Sequence, residues 1–280
     1  MIFKKFHLRA RSSGQQAFTL VELLVALAVL SILVVVLAQV VSLTSQAIDI
    51  NTRKLDAAGQ ARLFFDRLGA DLAALPIRAD LGVTFTKNPG NDTLQFYTAA
   101  NGYGATTPPV RQISYVSYSI GAPPAPSTGP NCLIREADGM DWTAIGSVSF
   151  LPVPYPGAAS FPNTTSANCD VLANGIFRME FCYLVNTGSR AGQFVNTPKS
   201  GEQFSAIVVA VAALDRKSLN ILTNAQVTQL AGDFADAQDG SDPLSDWTAA
   251  MAVNGFGAGI PRRVIQDIRL FERTFYVPYP

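Results

Sequence analysis

The chain has 280 residues, 48% of them apolar, which is enough to bury a sizeable core, and its 21 basic and 21 acidic residues balance. Four of the bases, Lys4, Lys5, Arg9 and Arg11, precede any acid, and without them the rest is net acidic by 4 charges, which argues against nucleic-acid binding through phosphate neutralisation. The single histidine, His7, lies in that same basic stretch, so the body has no imidazole for a Ser-His-Asp or Cys-His pair or for the common zinc sites, and only carboxylate or Ser-Lys catalysis stays open.

The first element is a helix. From Leu23 to Ile48 no residue is charged, and Leu, Val, Ala and Ile dominate "LLVALAVLSILVVVLAQVVSL". About 20 apolar residues span a bilayer, and the basic cluster ahead of the run predicts a cytoplasmic N-terminus with the body on the other side. Glu22 stands at the edge of this run, where an unpaired carboxylate in hydrocarbon costs about 2.5 kcal/mol or more. An ordinary signal sequence has no use for such an acid, whereas a helix dipole favours it in the first turn.

These residues carry a resemblance. "AFTLVELLVALAVLSIL" resembles the signal of type IV prepilins and type II secretion pseudopilins, with Ala17 standing where that family usually has Gly. The resemblance implies cleavage between Ala17 and Phe18 by prepilin peptidase and methylation of the new amino terminus. It implies that Glu22 neutralises the α-amine of a neighbouring pilin or pseudopilin subunit during assembly. Residues 1–17 are then a basic prepilin leader, residues 18–75 a transmembrane and amphipathic helix, and residues 76–280 an exported globular β-rich head. The implied location is the inner membrane, crossed once, with the head periplasmic or in an extracellular filament. The alternative is an uncleaved signal anchor that happens to contain Glu22.

Beyond the apolar run, Ala58, Ala61, Phe65, Leu68, Leu72 and Leu75 recur at three- and four-residue spacing with Arg62, Asp66, Arg67 and Asp71 between them. The spacing predicts an amphipathic continuation that Pro76 ends, or a second helix if the chain breaks near 42–51. After Pro76 the period changes to two. Strands are predicted in "TLQFYTAA", "QISYVSYSI", "CLIREA", "GIFRMEFCYLV", "SAIVVAVAAL" and "IRLFERTFYV". Phe177, Met179, Phe181 and Tyr183 alternating with Arg178 and Glu180 read as one buried and one solvated face. The predicted class is α+β, a long N-terminal helix packed on an antiparallel sheet as in pilins. Residues 218–254 read as short helices or a long insertion. The whole-chain pattern resembles the J-type minor pseudopilins, and in length and in its ending "IRLFERTFYVP" the Verru_Chthon cassette C-type proteins.

Several head residues are weaker candidates. Asp233, Asp236, Asp239, Asp242 and Asp246 form an acidic run without a base, a donor set that suits calcium, against a solvated loop whose acids cap short helices. Cys132, Cys169 and Cys182 form no CxxC, and the loop-like surroundings "GPNCL" and "SANCD" favour a Cys132–Cys169 disulfide in an oxidising compartment. Glu180 and Glu202 could be imagined as glycosidase carboxylates, and Gly255, Gly257 and Gly259 as a phosphate loop, but no groove or strand-to-helix context supports either. The functional expectation is a non-enzymatic minor pilin or pseudopilin subunit, or else a membrane-anchored protein displaying a ligand-recognising or adhesive head. No nucleic-acid partner is expected.

Overall fold

The computed structural model describes residues 19–76, 84–100, 114–124, 126–127, 129–139, 169–199 and 202–276. The chain divides into two compact units, Met1–Ile50 and Asn51–Pro280. The class is α+β, as the sequence predicts: an apolar N-terminal helix and antiparallel sheets.

Helix α1 is assigned from Leu20 to Ala73. Within the first unit every residue from Leu20 to Ile48 is exposed, including its leucines, valines and isoleucines. A helix apolar on all sides and uncovered by protein needs an apolar medium or other helices around it. Within the second unit the pattern is amphipathic: Ala57, Ala61, Phe64, Phe65, Leu68 and Leu72 are buried, and Arg62 and Asp66 face out as an i,i+4 ion pair.

Sheet A is a meander of β1 (Thr84–Thr86), β2 (Thr93–Thr98), β3 (Ser114–Gly121), β4 (Cys132–Gly139) and β5 (Cys169–Ala173), neighbours in that order and all antiparallel. Sheet B has the order β7-β6-β8-β9, with β6 (Ile176–Val185), β7 (Phe194–Val195), β8 (Phe204–Ala213) and β9 (Arg269–Tyr276). Leu94, Phe96, Val116 and Tyr118 of sheet A meet Met179, Phe181, Val209 and Val211 of sheet B around Phe64 and Leu68 of α1. Each such side chain stabilises the fold by about 2 kcal/mol through burial.

The other face of sheet B is also covered. Helices α2 (Arg216–Leu219), α3 (Asn224–Gly232), α4 (Pro243–Ala252) and α5 (Arg262–Asp267) bring Val227, Leu230, Trp247 and Val264 against Ala210 and Ala212. Local chemistry starts these helices: Asp215 caps α2, Thr223 and Gln226 form a capping box at α3, and Pro243 opens α4. The continuous apolar run of β8 reflects this double burial.

That cover overturns the expectation of a half-solvated β6. Arg178 and Glu180 are wholly buried, because residues 233–246 and α4 close over their face. Phe177 also lies away from Met179 and Phe181: a register shift between Ile176 and Arg178 puts Phe177 into the core beneath α3 and α4.

Candidate functional site

At the start of α1, the Thr19 backbone N–H and hydroxyl each donate 2.9 Å hydrogen bonds to Glu22 Oε2, and the Glu22 N–H donates to Thr19 Oγ1 at 3.3 Å. This is a capping box: it satisfies helix-start donors and holds the Glu22 carboxylate on the first turn. Sequence reasoning singled out Glu22 and missed Thr19, although Thr-x-x-Glu ahead of an apolar run is the signature of such a cap. Ala17 and Phe18 lie outside the described residues. Among the described residues one helix, α1, is long and apolar enough to cross a membrane.

The head candidates resolve into structural roles. Asp233 accepts from Gly257 N, Asp236 from Gly90 N and Arg178, Asp239 from Asn196 N and Arg190, Asp242 from Ser245, and Asp246 from Ser241. The structure therefore does not gather Asp233, Asp236, Asp239 and Asp242 into one donor set, since the first three turn to different backbone or basic partners and Asp242 to the Ser245 hydroxyl. Among the described residues no three acidic, cysteine or histidine side chains converge as metal ligands.

The expected Cys132–Cys169 disulfide is likewise not formed. Cys132 pairs with Gly121 of β3, whereas Cys169 pairs with Glu136, four positions further along β4. Four residues of strand separate the two by about 13 Å, twice what a disulfide allows. Cys182 is buried beside Val208 and Ala237, and burial pushes its thiol up to about 12.

Glu180 and Glu202 belong to separate ion networks. Lys87 bonds Asp92, Glu180 and the Phe181 carbonyl, and Arg178 reaches Glu180 at 3.0 Å and Asp236 at 2.7 Å. Burial, then the nearby Asp92 carboxylate, raises Glu180 above the ordinary carboxylate range. The hairpin loop between β1 and β2 thereby seals the β6 edge: Asp92 N donates to Met179 O, and Met179 N and Phe181 N donate to Asn91 and Asp92. Glu202 accepts two hydrogen bonds from Arg190, which also holds Asp239. Trp247 and Tyr118 are wholly buried core residues. Gly257 turns at φ 65 against Ile265, its N–H committed to Asp233, so the glycine triplet offers no phosphate cradle there.

One groove opens on the head beside the β9 edge. It encloses about 360 Å³ and is lined by Asp66, Gly69 and Ala73 of α1 and by Arg273, Thr274 and Tyr276 of β9.

Residues 12–38 match the family of the prokaryotic N-terminal methylation motif. No curated protein and no solved structure matches the chain. The motif, set on an apolar helix able to anchor in a membrane, supports a type IV pilin-like protein processed by prepilin peptidase, a class whose members are structural.

Proposed function

We propose that the chain is a minor pilin or pseudopilin-like subunit, cleaved between Ala17 and Phe18 and methylated, that joins a pilus or secretion pseudopilus through α1. One observation carries the reading: a carboxylate held on the first turn, at Glu22, directly ahead of a helix whose apolar side chains are exposed on all sides. A helix with apolar side chains exposed on all sides does not suit a soluble protein. With the first-turn carboxylate it suits a helix that leaves lipid for a bundle of like helices, where Glu22 neutralises a neighbour's α-amine in a medium that penalises an isolated charge. The partners are prepilin peptidase, sibling pilin-like subunits and inner-membrane lipid, with the N-terminus cytoplasmic and the head periplasmic or on a filament. By sequence pattern the chain resembles the J-type minor pseudopilins and the Verru_Chthon cassette C-type proteins.

A second reading, a membrane-anchored protein whose head binds a ligand or surface, is favoured by the groove beside β9. Intact mass and N-terminal sequencing of membrane-extracted protein, with and without prepilin peptidase, test the first reading. A peptidase-dependent start at methylated Phe18 supports it. A Met1 start in both samples overturns it.

A further inference from the structure

The assembly reading leaves one pair of acids without a role. Glu272 stands on β9 opposite Ala210, and Asp242 is the N-cap of α4. An N-cap aspartate normally turns its carboxylate onto the helix-start N–H groups. Asp242 makes no such cap bond: one oxygen accepts from Ser245 Oγ at 3.0 Å, and the carboxyl lies within hydrogen-bonding reach of Glu272. The Leu244 backbone N–H, in the first turn of α4, lies on the side of Glu272.

Asp242 Oδ1 and Glu272 Oε2 are both buried, and among the described residues no N–H or O–H donates to either. Two ionised carboxylates placed this way would repel each other while both were stripped of water. A single proton makes one of them a donor to the other and removes both penalties.

Among the described residues the neighbouring strands and α4 supply no cation in its place. On β8 the neighbours are Val208 and Ala210, and on β6 the titratable group is the Cys182 thiol. Glu180, also on β6, adds negative charge, while Lys87 is committed to Asp92 and Glu180, and Arg178 to Glu180 and Asp236. On α4 the nearest acid, Asp246, is held by Ser241, and Arg273 of β9 pairs with Asp66 of α1.

We propose that a proton shared by Asp242 and Glu272 latches the first turn of α4 to β9, and that its loss in mildly alkaline surroundings releases that turn from sheet B. Burial, then the hydrogen bond to Asp242, pushes Glu272 up to about 8. A carboxyl raised in this way favours the closed form fully below its ordinary range, and the advantage is lost as pH rises through the elevated value. Asp242 sits on the segment that carries Trp247, so the release loosens the lid over Arg178 and Phe234 while leaving the core around α1 intact.

Hydrogen–deuterium exchange of the full chain in detergent micelles, corrected for intrinsic rates at each pH, tests the latch. In the wild type, amide protection in residues 237–248 is expected to fall at least about tenfold between about pH 6 and about pH 9, while β8 amides keep theirs. Glu272→Gln donates to Asp242 at every pH, so its protection should stay within about twofold over that range. Asp242→Asn, which keeps a capping residue, should behave alike and serves if the first variant fails to fold. A flat wild-type profile, a variant with the wild-type slope, or an equal loss in β8 overturns the proposal.

Discussion

The Asp71 carboxylate on α1 accepts a 2.7 Å hydrogen bond from Arg135 Nε on β4, with both side chains almost wholly buried. The same oxygen accepts Tyr118 OH at 2.6 Å, and the Asp71 carbonyl accepts the Thr98 hydroxyl. One residue near the C-terminal end of α1 thus ties that end to β2, β3 and β4. Burial and the charge beside it push the Tyr118 hydroxyl far up, so it stays a donor at every ordinary pH.

Replacing Asp71 alone leaves Arg135 as an uncompensated buried charge. Asp71→Ala is expected to destabilise the head by about 3 to 5 kcal/mol, whereas Asp71→Ala combined with Arg135→Met should recover much of the loss. Denaturant unfolding of the full chain in detergent checks both. Additive losses in the double variant would show that the two residues do not act as a pair.

That contact shows what the sequence discloses and what it hides. The stripe Ala61, Phe65, Leu68, Leu72 was readable because a helix repeats every 3.6 residues, and the six long strands because alternation, or in β8 a short unbroken apolar run, is local. Asp71, by contrast, reads as one polar residue between apolar ones, and nothing local says that it faces inward to Arg135. β1 and β7 have three and two residues, too short for a period to register. Arg178 and Glu180 looked solvated because alternation reports only that two faces differ, and it cannot report a lid supplied by residues 60 positions later. The partners of the Asp run were hidden for a related reason, since spacing along a loop does not say which N–H or hydroxyl each carboxylate will find.

Glu22 has two separable roles, helix cap and charge. Glu22→Gln keeps the N3 acceptor for Thr19 but removes the charge, and Thr19→Ala does the reverse. If the charge drives assembly, Glu22→Gln should insert into the membrane normally yet co-assemble with sibling subunits at least about tenfold less, while Thr19→Ala assembles nearly as the wild type. Quantifying each variant in sheared filaments against membranes decides this. Normal incorporation of Glu22→Gln would remove the charge from the mechanism.

Arg190 holds Glu202 down to about 2 through paired hydrogen bonds, helped by the Lys199 N–H. A carboxylate lowered in this way contributes order that is present above its ordinary range and lost as pH falls through the depressed value. The loop between β6 and β8 should therefore resist pepsin near pH 4.5 and yield to it as pH approaches 2. Glu202→Gln should already be cleaved near the upper pH. Equal cleavage of the two proteins there would deny the pair its ordering role.

Two glycines should respond to alanine with opposite signs. Gly175 lies in the turn between β5 and β6, where its N–H donates to Gln60 Oε1 of α1 at 2.6 Å and its carbonyl accepts Leu214 N at 2.9 Å. A Cβ there would sit 2.0 Å from the Leu214 carbonyl oxygen and 2.8 Å from Gln60 Oε1, so backbone at the end of β8 must move or the Gln60 bond must break. Gly175→Ala is expected to destabilise by about 3 kcal/mol, the upper end for overpacking. Gly59 is exposed on α1 with no atom within 4 Å of a built Cβ, and it carries the entropy of an unconstrained backbone in a helix interior. Gly59→Ala should therefore stabilise by about 1 kcal/mol. Paired unfolding curves in one detergent give both signs directly. Gly175→Ala matching the wild type would mean that the β5–β6 turn is not held against α1 and β8 as described, whereas a destabilised Gly59→Ala would mean that this exposed face of α1 packs against something that tolerates no side chain.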